Sequence, residues 1–424
     1  MSSTQTSQAN KRLEHLSGHL VKKTSRPGFL GGDVVVVSAL RTPLCKAKRG
    51  AFKSTTTDDL LAPVLEAVVK QSGVDAATLG DIVVGNVLQP GSGAVGARMA
   101  QFYAGIPYQV PLCTLNRQCS SGLQAFLQVA ASIQSGLYEA GIAGGVESMS
   151  LTDMSTSVPD VNFERVSENA LSKDCTIPMG QTSDEVATRF QVSREDQDRF
   201  AAASHAKAEA AVKAGKFAEE IVPVRVSSGG EDGGEDGVTV VREDEGIRPG
   251  TTPEKLGGLR SSFSEGGSTT AGNSSQMTDG AAAVLVMSRG AATAQGMPVL
   301  GVLRGAAVVG VPPDIMGIGP AVAIPAALAQ ARLRVEDVDV FEINEAFASQ
   351  CLYCVRELKI PMEKVNPNGG AIALGHPLGA TGARQIATLL HEMRRTGKRW
   401  GVVSMCIGTG MGAAAVFENE AAAK

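Results

Sequence analysis

The sequence predicts an α/β protein made of two similar halves with a segment of different character between them. In both terminal parts, short apolar runs typical of buried strands alternate with segments whose apolar residues recur at helical spacing. The two parts also share local sequence, since DIVVGN at 81–86 parallels DVFEIN at 339–344, and LNRQCSSG at 115–122 parallels VNPNGGAI at 365–372. These observations indicate an internal duplication.

Length and composition are those of an ordinary globular protein. The chain has 424 residues, of which 43% are hydrophobic and 19% charged, enough to bury a core in two or three domains. A net charge of −4 without a basic stripe argues against nucleic-acid binding. No predominantly apolar run reaches the roughly 18 residues of a membrane helix, so we expect a soluble protein without a membrane span. Seven scattered cysteines, an odd number, predict free thiols in a reducing compartment.

The periodicity of the N-terminal half, 33–148, predicts its elements in order. Residues 1–32 are basic and acid-poor, so we interpret them as a targeting segment outside the fold. DVVVVSAL then predicts a strand, a helix follows with Asp58 as N-cap and Gly73 as C-cap, and DIVVGNVL predicts the next strand. TLNRQC leads into a second helix and the small-residue strand AGIAGG. This alternation predicts a largely parallel sheet covered by helices on both faces.

The C-terminal half, 298–424, repeats this order of elements. The strands VLGVLRGAAVVG, DVDVFEIN and WGVVSM alternate with helices around AVAIPAALAQA and 384–393. Between the halves, 149–270 form a predicted loop domain of helices and one strand pair, EIVPVRVSS and GVTVVRED, around an acidic, Gly-rich tip that we interpret as a solvated hairpin loop. Residues from about 271 to 297 are expected to complete the N-terminal half.

One of the five histidines has the context of a catalytic group. His15 and His19 lie in the targeting segment, and His205 and His391 lie beside charged residues in amphipathic helices, where a solvated surface position is expected. His376 instead lies in the Gly-rich turn GGAIALGHPLGATGAR, after a strand-like stretch and before a helix, which is where α/β folds form ligand crevices. If the protein has a general base, His376 is the candidate.

Two cysteines lie where a thiol could react. Cys119, in NRQCSSG, begins a predicted helix whose dipole and unpaired N–H groups would lower the pKa of its thiol, although a buried small hydrophobe is the commoner role. Cys406 closes the last predicted strand before a Gly-rich turn whose amides could point at an oxyanion. Cys351 and Cys354, in CLYC, have zinc or redox spacing but no second pair, so we expect two packed thiols. A pseudo-twofold arrangement of the halves would bring Cys119, Cys406 and His376 together.

The motifs NRQCSSG, GNSSQMTDGAA, NEAF, GGAIALGHPLGATGAR and CIGTGMG occur in this order along the chain. In sequence and spacing they resemble the thiolase family over essentially all of 33–418. The resemblance implies the thiolase fold, in which two duplicated α/β halves pack as a layered α-β-α-β-α core with an inserted loop domain. It also implies an acyltransferase that uses coenzyme A to cleave 3-ketoacyl-CoA in fatty-acid β-oxidation.

The resemblance implies a role for each residue of these motifs. Cys119 would attack the 3-keto carbon and become acylated, His376 would increase its nucleophilicity, and Cys406 would exchange protons with the enolate and with incoming CoA. One oxyanion site would pair His376 with a water held by Asn344, and the other would pair the backbone N–H groups of Cys119 and Gly408. Without the motif, Asn344 would be interpreted as an amide that caps a turn.

Further positions bear on the substrate. Ser275 matches the family serine that contacts the pantetheine of CoA, while Phe347 and Met179 match positions that line the acyl channel; ordinary packing is the alternative for all three. Pro178 stands where acetoacetyl-specific biosynthetic thiolases usually have histidine, which favours a degradative enzyme. A biosynthetic acetoacetyl-CoA thiolase or other condensing enzyme, and a non-catalytic lipid-carrier relative, are the alternative functions.

The resemblance also implies partners and a location. The expected ligands are acyl-CoA and coenzyme A as co-substrate, with no permanently bound cofactor and no metal, in a homodimer whose central sheets meet. Arg12, Leu13, His19 and Leu20 follow the pattern Arg-Leu-five residues-His-Leu of an N-terminal peroxisomal import signal, and a helix would present Arg12 and His19 on one face. A peroxisomal import receptor is therefore an expected partner, and a mitochondrial presequence is the alternative.

Overall fold

The structure is a computed structural model that describes residues 32–154, 160–228 and 237–423. The predicted import-signal residues Arg12, Leu13, His19 and Leu20 lie outside these ranges, as do residues 229–236 of the predicted hairpin tip.

Strands and helices alternate through much of the described chain. The strands are β1 (Val34–Arg41), β2 (Cys45–Lys46), β3 (Asp81–Gly85), β4 (Leu112–Leu115), β5 (Ala140–Glu147), β6 (Val224–Ser228), β7 (Gly237–Val241), β8 (Thr278–Ser288), β9 (Gly301–Gly310), β10 (Val340–Ile343), β11 (Trp400–Ile407) and β12 (Met411–Glu418). The α-helices are α1 (Thr57–Ser72), α2 (Ala94–Tyr103), α3 (Ser121–Gln134), α4 (Phe163–Glu168), α5 (Ala170–Asp174), α6 (Met179–Arg189), α7 (Arg194–Lys213), α8 (Pro253–Gly257), α9 (Arg289–Ala294), α10 (Gly319–Ala331), α11 (Ala348–Glu357), α12 (Ala371–Leu374) and α13 (Thr381–Thr396).

The main sheet is mixed, so the prediction of a largely parallel sheet is wrong. Its strands follow the order β10-β11-β12-β9-β1-β8-β5-β3-β4, with β2 paired to β8. β3 runs parallel to β4 and β5, and β10 runs parallel to β11, whereas the other pairings along this order are antiparallel. A tight turn between β11 and β12 permits only antiparallel neighbours, which the alternation of strands and helices does not reveal. β6 and β7 form the predicted separate antiparallel pair.

The sheet itself is duplicated. The run β3-β5-β8-β1 has the same sequence of parallel and antiparallel pairings as the run β10-β11-β12-β9. The two runs join where Val35 and Val36 pair with Val302 and Gly301. This repetition confirms the internal duplication predicted from short sequence matches.

The helices and strands stack in five layers, and three apolar clusters fill the space between them; the central cluster lies on both sides of the middle layer. One cluster lies between the N-terminal run of strands and helices α1 and α2. A second surrounds α3 and α13 and contacts both runs of strands, and a third lies between the C-terminal run and helices α10 and α11. The order of layers is therefore α-β-α-β-α, with α3 and α13 in the centre, as the resemblance implies.

Glycines allow the two central helices to touch. A Cβ atom on Gly382 would lie 2.1 Å from the backbone nitrogen of Leu123, and one on Gly122 would lie 2.8 Å from the carbonyl oxygen of Gly379. Because these neighbours are backbone atoms, a side chain at either position would push the helices apart. This contact brings the N-terminal ends of α3 and α13 together, and Cys119 and His376 lie just before those ends.

Several local predictions are wrong because tertiary packing decides them. α1 begins at Thr57 after Thr56 as N-cap, so Asp58 lies in its first turn, although Gly73 is the C-cap with φ 75°. His205 is buried, and its Nδ1 accepts a hydrogen bond of 3.2 Å from the Arg248 amide. His391 is also largely enclosed, with Nε2 3.0 Å from the Ala39 carbonyl oxygen. The charged neighbours of these histidines indicated solvent, but each ring faces the interior of the fold.

Two apolar features of the C-terminal half are part of its core. Cys351 and Cys354 are both buried within α11, as the packed-thiol interpretation predicted. The helical stretch 313–331 is long and apolar enough to cross a membrane by length and composition. It is two-thirds buried (67%), and α10 packs against β9 and β12.

Candidate active site

Cys119 lies in the turn between β4 and α3. The side chain of Asn116 accepts a hydrogen bond of 2.8 Å from the Gln118 amide, and Gln118 adopts a positive φ of 48°. Ser121 closes the turn, because its Oγ donates to the Gln118 carbonyl oxygen at 2.6 Å. The thiol is buried and receives hydrogen bonds from the backbone N–H groups of Gly408 and of Cys119 itself. Amides from both halves of the chain therefore interact with this sulfur.

Burial has the opposite effect on Cys119 from the one the helix terminus predicted. Desolvation raises the pKa of the thiol to about 11, the two backbone amides lower it, and the nearby Glu147 carboxylate raises it. The expectation of a lowered pKa is therefore wrong for the ligand-free site, because removal of water outweighs the local dipoles. The resting sulfur is a neutral thiol that needs a base to become a nucleophile.

His376 is the candidate for that base, and both of its ring nitrogens have hydrogen-bond partners. It lies in the connection between α12 and α13, so the predicted strand-like stretch before it is a helical turn. Its Nδ1 is 2.6 Å from Thr381 Oγ1, and its Nε2 is 3.3 Å from Asn344 Nδ2. Because an amide nitrogen only donates, Nε2 accepts, and Nδ1–H donates to Thr381, whose hydroxyl donates to the Pro377 carbonyl oxygen at 3.1 Å. The lone pair of Nε2 thus faces the site.

The protein environment keeps His376 neutral. Burial, together with the charge of Arg384, lowers the pKa of the imidazole to about 3. The backbone N–H of His376 donates to the Gln276 carbonyl oxygen at 3.0 Å and to Thr278 Oγ1 at 3.2 Å, which fixes the turn from the side of β8. A neutral imidazole keeps the lone pair that a base needs, while the lowered pKa makes it a weak base in the ligand-free site.

Asn344 directly follows β10 and has an unused polar atom. Its backbone N–H donates to the Ser404 carbonyl oxygen at 2.8 Å, which anchors it beside β11. Its side chain is buried, and Oδ1 has no hydrogen-bond partner among the residues that the structure describes. A buried acceptor without a partner is costly, so this atom can hold a water or a substrate group beside the imidazole.

Cys406 is a second buried thiol close to the first. It is the second-last residue of β11, opposite Gly412 of β12, and the Gly-rich turn follows it as predicted, although β12 is the last strand. Burial raises the pKa of its thiol well above the ordinary value, and a negative charge on Cys119 raises it further. Gly408 follows in the turn to β12, so one strand end supplies both the thiol of Cys406 and the amide that points at Cys119.

The candidate substrate-lining residues contact this thiol. Met316, Ala346 and Phe347 form a small apolar cluster with Cys406, and Met179 at the start of α6 packs against it. The ring of Phe347 meets that of Phe263 edge to face, with centroids 6.1 Å apart. The half-buried Ser275 lies beside them, because its N–H donates to the Ala346 carbonyl oxygen at 2.9 Å. Phe347, Met179 and Ser275 therefore lie close together on the Cys406 side of the site.

The sequence motifs included most of this site but did not distinguish every residue in it. Thr381, which orients the imidazole, lies five positions after His376 in the same motif, and it is not among the site residues predicted from the sequence. Glu147 ends the strand AGIAGGVE, and a single acid at the end of a buried small-residue strand was a usable signal. Among the residues described, no group of three His, Cys, Asp or Glu side chains could hold a metal ion.

Comparisons with known proteins cover the chain almost completely. Residues 34–290 match the model of the thiolase N-terminal domain, and residues 297–419 match that of the thiolase C-terminal domain. The chain is 57% identical over 421 residues to the peroxisomal 3-ketoacyl-CoA thiolase B of Rattus norvegicus, which covers 96% of this chain and 99% of that protein.

Solved structures show the same architecture. The crystal structure of the dimeric peroxisomal thiolase of Saccharomyces cerevisiae matches with a TM-score of 0.85 and 46% identity, covering 92% of this chain and 97% of that one. A structure of peroxisomal 3-ketoacyl-CoA thiolase from the same yeast, described as five-layered and built from two core domains of identical topology, matches with a TM-score of 0.75 and 43% identity over 91% of this chain and 98% of that one. The chain belongs to the thiolase family.

Proposed function

We propose that this protein is a degradative 3-ketoacyl-CoA thiolase of peroxisomal fatty-acid β-oxidation. It cleaves 3-ketoacyl-CoA with CoA to acetyl-CoA and an acyl-CoA shortened by two carbons. The proposal is supported by two buried thiols, Cys119 and Cys406, that are near enough to interact electrostatically, and by a buried, neutral His376 hydrogen-bonded to Asn344. The relatives that match nearly the whole chain are peroxisomal 3-ketoacyl-CoA thiolases, and the peroxisome is the location of this one.

In the first half-reaction, His376 Nε2 takes the proton of Cys119, and the thiolate attacks the 3-keto carbon. The bond between C2 and C3 of the substrate then breaks, which leaves the shortened acyl group on Cys119 and an acetyl-CoA enolate. The thiol of Cys406 protonates the enolate carbon, so acetyl-CoA leaves. The raised pKa of the Cys406 thiol supports this role, since the group stays protonated until a strong base such as an enolate forms beside it.

In the second half-reaction, Cys406 acts in the reverse sense. Its thiolate takes the proton of an incoming CoA thiol, and the CoA thiolate attacks the acyl group on Cys119. The new thioester leaves as acyl-CoA, and Cys119 departs as a thiolate that His376 reprotonates. Each proton borrowed in the first half-reaction is returned, so the enzyme ends unchanged.

Two groups of donors support the negative charge that develops on oxygen. The amides of Cys119 and Gly408 would stabilise the oxygen of the acyl thioester, which is supported by the interaction of both amides with the Cys119 sulfur. His376 and a water held by Asn344 would stabilise the enolate oxygen, which the unpartnered Oδ1 of Asn344 supports. We assign Ser275 to the pantetheine and Phe347 with Met179 to the acyl channel. Coenzyme A is a co-substrate, and the proposal includes no bound cofactor or metal.

The direct test is thiolysis of purified 3-ketoacyl-CoA substrates. We expect cleavage of substrates from roughly four to sixteen carbons, the range that an apolar tunnel of this kind can accept. Cys119→Ala should fold normally and lose cleavage, while mass spectrometry of the unaltered protein should detect an acyl group on Cys119. A protein restricted to acetoacetyl-CoA would instead be the biosynthetic enzyme, and one without any cleavage would be a lipid-carrier relative.

We propose a homodimer that forms through the edge strand β4. This strand ends the main sheet and its four residues are only half-buried. The adjoining helix α2 and the segment after it expose large apolar side chains, namely Val95, Met99, Phe102, Tyr103 and Tyr108. An open strand edge beside an apolar surface favours pairing with a second copy. Analytical ultracentrifugation should find a dimer that Met99→Glu weakens, and a monomer in both cases would contradict this assembly.

We also propose that Arg12, Leu13, His19 and Leu20 bind the peroxisomal import receptor. A fluorescent reporter fused to residues 1–26 should enter peroxisomes, and the same reporter carrying His19→Ala should remain outside. Entry into mitochondria would instead favour the presequence interpretation.

A further inference from the structure

Glu147 is a buried carboxylate that the proposed reaction does not use. It is the last residue of β5, and it is fully buried. Its Oε2 accepts hydrogen bonds from the N–H groups of Val87 at 3.0 Å and Gly379 at 2.9 Å. Its Oε1 accepts from the N–H of Leu88 at 3.2 Å and from Asn86 Nδ2 at 3.3 Å. Four donors therefore converge on one carboxylate.

These donors come from both halves of the protein. Asn86, Val87 and Leu88 follow β3 in the N-terminal half, whereas Gly379 belongs to the turn that carries His376 in the C-terminal half. The backbones touch here, because a Cβ atom on Gly379 would lie 2.7 Å from the Asn86 Cα. Gly379 has no side chain that could bond to the loop after β3. The Glu147 carboxylate, which accepts hydrogen bonds from both loops, is therefore the polar group that connects them.

The two loops that Glu147 holds form the wall around the nucleophile. Val87 and Leu88 from one loop and Leu378 from the other pack in a single apolar cluster with Cys119. Leu378 lies between Gly379 and His376, so a shift of the Gly379 amide would move both the wall and the imidazole. The charge of Glu147 also acts on the Cys119 thiol.

We propose that Glu147 is a positioning residue that locks the His376 turn of one half against the Cys119 wall of the other. Burying a carboxylate costs free energy that an apolar side chain would not. A carboxylate supplies acceptors on both oxygens, which glutamine cannot do. Because hydrogen-bond donors face both Oε1 and Oε2, residue 147 needs an acceptor at each of these atoms, which explains why it is a glutamate. Burial raises the pKa of this carboxyl to about 7, while the backbone N–H groups of Gly379, Leu88 and Val87 lower it.

The test compares Glu147→Gln with Asp279→Asn. Asp279 is a buried carboxylate on the neighbouring strand β8, and it accepts from the N–H and hydroxyl of Ser150 but bonds neither loop. We expect Glu147→Gln to lower kcat for thiolysis about 10- to 100-fold with KM for CoA changed less than threefold. Asp279→Asn should lower thermal stability at least as much, with kcat changed less than threefold.

Glu147→Asp supplies the second variant, because it keeps both acceptor oxygens on a shorter chain. Because the shorter chain reaches the two loops less closely, we expect its kcat to lie more than threefold below that of the unaltered protein but above that of Glu147→Gln. The inference is overturned if Glu147→Gln retains kcat within threefold, or if Asp279→Asn loses as much. It is also overturned if Glu147→Asp does not recover activity; should Glu147→Gln not fold, kcat within threefold for Glu147→Asp overturns it. The inference rests on the proposed reaction, whose failure would appear separately as no thiolysis by the unaltered protein.

Discussion

Thr381 gives the sharpest test of how the structure prepares the base. The substitution Thr381→Val keeps the shape of the side chain and removes the hydroxyl that accepts the His376 Nδ1 proton at 2.6 Å. The buried N–H is then unpartnered, which costs about 1–3 kcal/mol. The ring can avoid that cost by moving its proton to Nε2, and the lone pair that faces the site is then lost.

The expected fall in kcat/KM follows from the free-energy cost of the unpartnered N–H. Since about 1.4 kcal/mol corresponds to a tenfold change in rate, we expect kcat/KM for thiolysis to fall roughly 10- to 100-fold. The rate at which iodoacetamide inactivates Cys119 near neutral pH should fall as well, because the imidazole no longer takes up the thiol proton. Both rates are measured on the same preparation, with the folded fraction determined by urea unfolding.

Thr388→Val is the matched control. Thr388 lies two turns later in α13, is equally buried, and donates to Glu220 Oε1 at 3.0 Å, away from the site. Thr381→Val loses two buried hydrogen bonds, with His376 Nδ1 and with the Pro377 carbonyl oxygen, and Thr388→Val loses one. Each lost bond should cost about 1 kcal/mol of stability, but only Thr381→Val should lose activity. If Thr381→Val retains kcat/KM within threefold, or if Thr388→Val loses as much activity, the reasoning about the imidazole is refuted.

Three further predictions concern the second thiol, a buried histidine and the helix crossing. Cys406→Ala should lower kcat by about 10²- to 10⁴-fold while Cys119 still reacts with iodoacetamide, and a normal kcat would assign the proton transfer to another group. Burial lowers the pKa of His205 from 6.5 to about 4, so the stability that the neutral ring contributes is complete above pH 6.5 and is lost as pH falls towards 4. Urea titrations at several pH values should therefore show a shallower acid loss for His205→Gln, and parallel curves would contradict this. Gly382→Ala should cost about 1–3 kcal/mol by overpacking α3, whereas Gly257→Ala, with open space around it, should not; equal unfolding midpoints would refute the close contact.

Much of the fold could be predicted because strands and helices leave their period in the sequence. Buried strands such as β1 and β8 are continuous apolar runs, and the pair DIVVGN and DVFEIN coincides with β3 and β10. Their direction could not be predicted in the same way, because pairing depends on which strand lies beside which. The domain boundaries and the roles of the site residues stay predictions.

The sequence by itself determined which residues form the motifs. The motifs in turn identified Cys119, Cys406 and His376 as the candidate thiols and imidazole of a thiolase. Only the tertiary structure decided their protonation, since the pKa of Cys119 depends on how much water the two halves exclude, rather than on its helix alone. It also decided the partners Thr381 and Glu147, and the burial of His205 against an expectation of solvent. The physical reason is that periodicity records one face of one element, whereas desolvation and hydrogen bonding depend on elements that are distant in the chain.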